Sequence, residues 1–218
     1  GKPVRQQNTH LQIHPSFLPE EDGITFRLTP VFLDTVPGES PRLKDWSDLP
    51  AGSPIGHASA TTPVSFQIIT GPAILVDTQT FQINWNRGVS ALNLHTDISF
   101  VIFHPGDKTY KPAVQQGSIT LPVRNKKGRE QVISFAPLPN LKKGIKSISL
   151  KASSDSDLPV SYYIKEGPAY VKENQLILTP VPPRASYPVK ITVVAWQYGI
   201  PGKVQTAEPV EQSFYITQ

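Results

Sequence analysis

The sequence predicts an all-β chain built as two antiparallel β-sandwiches in tandem, and three observations predict it. The 23 prolines and 14 glycines among 218 residues cut the chain into pieces too short for helices of ordinary length. The pieces between them are rich in branched and aromatic residues and mostly alternate in polarity. The chain also repeats itself, and a repeat sets the architecture before any single strand is placed.

The repeat is clearest where Pro63–Val76 lies over Pro159–Lys172 at an offset of 96, with seven of fourteen positions identical. Further on, Ile98–Gly106 lies over Ile191–Gly199 at an offset of 93, through a loop of different length, and Ala113–Gln116 over Pro209–Gln212 at 96 again. Upstream, Leu11–Ile24 matches Ile133–Ile145 in its order of strand, proline pair and glycine. The first copy is longer mainly because of an insertion at about residues 34–62. The expected domains are 1–123 with that insertion, a linker at 124–130, and 131–218.

The strands follow from local pattern. Ile24–Leu28, Val64–Ile68, Ile145–Leu150, Leu176–Leu178 and Val210–Ile216 alternate or are uniformly apolar, and they are spaced by Gly, Pro, Asn and Asp signals as in a two-sheet sandwich. Phe66 and Tyr162 occupy matching positions and are expected to share an inward face. Ala113–Gln116, the nearest candidate for a helix, is too short to be one.

Composition removes several function classes. With no cysteine there are no disulfides, thiolate nucleophiles, zinc fingers or iron-sulfur sites. There is also no methionine, and an opening Gly1 reads as a cut or a processed chain, the second of which is open to removal of a leader. No run approaches the roughly 18 apolar residues of a membrane helix. Net charge is −2 over residues 1–123, +3 over 124–130 and +3 over 131–218. Base is thus concentrated in Arg124-Asn-Lys-Lys-Gly-Arg-Glu130, without interleaved aromatics, which reads as a solvated basic linker open to trypsin and not as a nucleic-acid face.

The second copy resembles a known family. Its Val132-Ile-Ser-Phe-Ala-Pro-Leu-Pro139, Leu158-Pro-Val-Ser-Tyr162, Gly167-Pro-Ala169 and Pro209-Val-Glu-Gln-Ser-Phe214 follow the order seen in bacterial immunoglobulin-like (Big/MBG-type) repeats of exported and cell-surface proteins. Asp157 stands where that family usually has glycine, so the turn there differs. The resemblance covers nearly all of copy two and, more faintly, copy one. It implies two tandem immunoglobulin-like antiparallel β-sandwich domains, a non-catalytic role, and a place in the periplasm, at the cell surface or in the medium. Such repeats are often appended to extracellular hydrolases or glycan-handling proteins. The resemblance implies no active-site residues and no cofactor.

Among His10, His14, His57, His95 and His104, no pair has helical metal-ligand spacing. His104-Pro-Gly-Asp107 combines a base, a carboxylate and a tight turn, but its counterpart is Gln197-Tyr-Gly-Ile200, so the glycines at 106 and 199 read as turn residues. No nucleophile elbow, phosphate loop or calcium-binding acidic run occurs. Carbohydrate binding is the functional alternative, because aromatic rings stack on sugar faces. Trp196 aligns with Phe103 and reads as packing, whereas Trp46 in the insertion and Trp85 in Asn84-Trp-Asn-Arg87 belong to copy one alone. Shared residues serve the shared fold, so a specific activity is expected where the copies differ. Trp46, Trp85, Arg87 and His57 are therefore the candidate ligand-binding residues, with a glycan or another cell-envelope protein as the expected partner.

Overall fold

The computed structural model describes residues 13–14, 16–36, 50–54, 56–86, 89 and 93–218. The described residues form strands and turns without a helix. By contact the chain divides into two compact units. The first comprises Gly1–Glu20, Thr25–Ile83 and Asp97–Leu121, and the second Glu21–Ile24, Asn84–Thr96 and Pro122–Gln218.

The first unit carries β1 (Ile13–His14), β2 (Phe17–Pro19), β3 (Thr25–Leu28), β4 (Val31–Phe32), β5 (Ser65–Thr70), β6 (Ala73–Leu75), β7 (Thr80–Ile83), β8 (His95–His104) and β9 (Ala113–Pro122). One sheet has the order β2-β3-β7-β6 and the other β5-β8-β9, with β1 and β4 paired separately. This is the four-plus-three arrangement of a constant-type immunoglobulin sandwich. Between the sheets, the ring of Phe17 meets those of Phe66, Phe81 and Phe100 edge-on, with centroids 5.5, 5.3 and 4.8 Å away. Such edge-to-face contacts add to the area each ring removes from water.

The second unit carries β10 (Ile133–Phe135), β11 (Leu141–Lys142), β12 (Ser147–Ser149), β13 (Ala152–Ser154), β14 (Ser161–Glu166), β15 (Ala169–Lys172), β16 (Gln175–Leu178), β17 (Val189–Trp196) and β18 (Val210–Thr217). Its sheets are β12-β16-β15 and β11-β18-β17-β14, with β10 on β13. The only parallel pairing between these strands is β11 on β18. Leu176, Ile191, Val193, Phe214 and Ile216 form the fully enclosed part of the core.

Both units thus have the immunoglobulin-like antiparallel sandwich fold, and their middle strands share one register. Phe66 pairs with Ile102, and Tyr162 with Ala195, residues 93 apart in the second position and 96 in the first. Both pairings shift at the same point, between Ile68 and Thr70 and between Ile164 and Glu166. Phe66 and Tyr162 are both buried. The glycine after each bulge is obligatory. Gly71 and Gly167 hold φ of 114° and 102°, and a Cβ would lie 2.5 Å from the Asp97 carbonyl oxygen or 2.6 Å from that of Lys190.

Residues 124–130, expected as a solvated linker, are bound along their backbone within the second unit. Arg129 donates its N–H to the Lys203 carbonyl at 2.8 Å and accepts from Gln205 at 2.8 Å, while the Asn125 carbonyl accepts from Thr206 at 2.9 Å. Lys126 and Lys127 are exposed, but a tryptic cut there requires this pairing to open.

Candidate binding site

Trp85 follows β7 and is grouped with the second unit, where it is buried at 6% exposure. Its ring meets Trp196 at 6.0 Å and 66° and Tyr198 at 5.7 Å and 54°. Trp196 owes its position to the register of β17. Ile191, Val193 and Ala195 belong to the core, so Thr192, Val194 and Trp196 lie on the opposite face. The next aromatic, Tyr198, donates its hydroxyl to the Pro122 carbonyl at 2.8 Å, and burial pushes its phenol up to about 12.

Beside this cluster is a small open pocket of about 50 Å³, lined by Trp85, Asn86, Arg124, Tyr163, Trp196 and Pro209 among others. Arg124 and Glu208 form a two-bond ion pair, one bond of 2.9 Å from Nη2 to Oε2 and the other from Nη1 to Oε1. Each partner stabilises the other's charge, so Glu208 titrates below and Arg124 above its ordinary value. Burial, and then the charge of Glu211, push the Tyr163 phenol up, so it is a neutral hydroxyl at physiological pH. The indole Nε1 of Trp196 is buried and has no acceptor among the described residues. The pocket therefore has flat, largely apolar walls, which suit an apolar ligand face.

The other candidates are placed elsewhere. In the first unit, His57 Nε2 lies 3.1 Å from Asp34 Oδ1 and its Nδ1 is 2.6 Å from the Ala58 carbonyl, while its ring packs on Phe32 with centroids 5.0 Å apart. It joins the two ends of the 34–62 insertion, whose described stem is closed by the bridge from Thr35 to Pro54. Trp46 and Arg87 lie outside the described residues, as does His10. His57 belongs to the first unit and Trp85 to the second.

The His104–Asp107 turn is fully engaged by the backbone. Nδ1 of His104 accepts the Gly106 N–H at 2.9 Å and its Nε2 lies 3.2 Å from the Ser59 carbonyl. At the matching position, Gln197 Oε1 accepts the Gly199 N–H and its Nε2 donates to the Pro159 carbonyl at 2.8 Å. An imidazole and a carboxamide thus do the same structural work. Asp107 accepts N–H groups from Tyr110, Thr109 and Ser59, which hold its carboxyl below the usual range. Among the described residues no group of three or more His, Asp or Glu is placed to hold a metal ion.

Sequence reasoning assigned Trp196 to packing by analogy with Phe103 and passed over Tyr163, Arg124 and Glu208. One signal was available for the first: Ile191-Thr-Val-Val-Ala-Trp196 is almost wholly apolar, where a half-exposed strand would alternate. Nothing local marks the Arg124–Glu208 pair, whose members are 84 residues apart.

No family model and no curated protein matches the sequence. No described helix is long and apolar enough to cross a membrane. Among solved structures, the chain is similar to human protocadherin-24 EC1-2, form II, at TM-score 0.30 and 12% identity, over 94% of this chain and 99% of that one. It is also similar to the protocadherin γB4 extracellular domain, at TM-score 0.29 and 13% identity over 98% and 34%, and to Drosophila N-cadherin EC1-4, at 0.26 and 17% over 73% and 44%. The assignment of two immunoglobulin-like sandwiches rests on the strand order and register of the chain itself.

Proposed function

We propose that this chain is a non-catalytic tandem of immunoglobulin-like domains, divided near 1–123 and 131–218, that serves as a structural spacer or interaction segment of an exported bacterial protein. The observation that carries this reading is the equivalence of His104 and Gln197. The grouping that most resembles a catalytic one is bound to backbone in the way its glutamine counterpart is, so its residue types are explained by the turn. The family resemblance of copy two supports the exported, bacterial setting and the association with a glycan-active enzyme. The test is turnover: the purified chain, offered glycoside, ester and peptide substrates, is expected to hydrolyse none. Activity that survives stringent purification and disappears in His104→Gln would overturn the reading.

Glycan binding is the second reading, with Trp85 and His57 as its described candidates and Trp46 and Arg87 as the others. The pocket beside Trp85 supports it, since the aromatic residues Trp85, Tyr163 and Trp196 line it and flat rings stack on sugar faces. Calorimetric titration with a panel of oligosaccharides, repeated on Trp85→Ala and Tyr163→Phe, decides it. Binding that both variants leave unchanged would place any glycan site elsewhere.

A further inference from the structure

The rule that function lies where the copies differ applies to a second part of the molecule. In copy one the turn between its first strands is acidic, Glu20-Glu21-Asp22, whereas the matching turn of copy two contains Lys142 and Lys143. After β16, copy two has the proline-rich stretch Thr179-Pro-Val-Pro-Pro-Arg-Ala-Ser-Tyr187. These two segments form the walls of an open groove of about 740 Å³ in the second unit, with Ile145, Ile177, Leu178, Val181, Tyr187 and Ile216 as its apolar lining.

Three properties of the groove select its occupant. The first is charge. Residues 140–150 contain Lys142, Lys143 and Lys146, residues 177–188 contain Arg184, and neither stretch has an Asp or Glu. None of these four cations has an ion-pair partner among the described residues, whereas Arg124, Lys165 and Lys190 of the same unit are each paired. Lys143 Nζ lies over the Tyr187 ring at 5.7 Å. The second property is apolar surface left open to water: Ile145 is 46% exposed, and Leu178, Val181 and Tyr187 are only partly buried against the core. The third is backbone. β12 is an outer strand of its sheet, paired on one side to β16, so its other side can receive an extended chain.

We propose that this groove binds an extended acidic peptide segment of a partner protein. Apolar side chains of the segment sit on Ile145, Leu178 and Tyr187, and its carboxylates face Lys143 and Lys146. The cavity volume is within the range of about 300 to 1,000 Å³ typical of ligand pockets, so size does not select the occupant; the unpaired edge of β12, which continues directly from the lining residues Ile145 and Lys146, favours a peptide backbone over a lipid headgroup. The proposal rests on the reading of the chain as an interaction segment.

The probe is a fluorescent octapeptide of alternating Leu and Glu, titrated into the intact chain at low and high salt. Saturable binding is expected, weakened several-fold by salt, with ¹⁵N amide shifts confined to residues 143–149 and 177–187. The double variant Lys143→Glu, Lys146→Glu should lose at least tenfold in affinity, while Lys126→Glu, Lys127→Glu should not. Should the first double variant fail to fold, the decisive comparison is an alternating Leu and Lys octapeptide on the unaltered chain, which should not bind. No binding, equal binding of both peptides, or shifts elsewhere would overturn the proposal. So would binding to phosphatidylglycerol vesicles in place of the peptide. Failure here leaves the chain inactive as a catalyst, whereas turnover in the assay above would overturn the underlying reading and leave peptide binding as measured.

Discussion

β8 and β17 are the same strand in two copies of one fold, and they differ in what covers their outer face. Along β8 the inward residues Ile98, Phe100 and Ile102 are buried while Phe103, at the outer face, is 41% exposed. Along β17 the outer residues are buried as well, and Trp196, the counterpart of Phe103, is 4% exposed. The pairing is conserved in detail, Ser65 opposite Phe103 and Ser161 opposite Trp196, so backbone geometry does not produce the difference. The cover does: Trp85 and Tyr198 lie against Trp196. A sandwich core thus follows from alternation within each strand, whereas burial of an outer face depends on a segment from elsewhere in the chain.

The largest effects are expected where the two copies agree. Truncating Phe66 or Tyr162 to alanine should cost about 3 to 5 kcal/mol in each case, measured by denaturant unfolding, because matched inward positions are being emptied. A loss at only one of the two would break the equivalence of the strands. The contrast at the outer face comes next. Trp196→Ala should cost about 3 kcal/mol or more and Phe103→Ala less than about 1 kcal/mol. Equal losses would mean that the cover over Trp196 contributes nothing.

Alkaline pH sharpens the same comparison. The buried Tyr198 phenol titrates at about 12 in the folded chain against an ordinary value of 10.0. A group raised in this way contributes stability that is complete below the unfolded value and is lost as pH rises through the folded one. Stability should therefore decline between pH 10 and 12, and Tyr198→Phe should flatten that decline in unfolding curves taken across the range. The smallest effect belongs to the Arg124–Glu208 pair, whose glutamate side chain is 79% exposed. Arg124→Ala should cost no more than about 1 kcal/mol. Since the Glu208 carboxyl is depressed, that contribution is present above the usual carboxylate range and fades as pH falls through the lowered value.

The repeat made the sandwich legible from sequence, because turn glycines, the Pro-Val-Ser strands and their offsets depend on local chemistry that each copy must satisfy. Gly71 and Gly167 are recognisable for that reason: both need φ values that other residues resist. What the sequence could not reveal depends on distant segments meeting. The apolar run of β17 hinted at a second buried face, but nothing in it names Trp85, which is 111 positions earlier by the numbering. The basic stretch at 124–130 looks like a free linker because its partners, the backbone groups of 203–206, are not specified by side-chain type. His104-Pro-Gly-Asp107 is legible as a turn because its counterpart, Gln197-Tyr-Gly-Ile200, supplies a comparison that no isolated motif has.

The central claim is that matched positions serve the fold even where their residue types suggest chemistry. It is tested most directly by measuring the unfolding free energy of His104→Gln beside His104→Ala. Glutamine should restore both backbone hydrogen bonds and remain within about 1 kcal/mol of the unaltered chain, while alanine leaves the Gly106 N–H without its acceptor and should cost about 1 to 3 kcal/mol. A glutamine variant as unstable as the alanine variant would contradict the claim, since the imidazole at 104 would then be doing something its counterpart at 197 cannot.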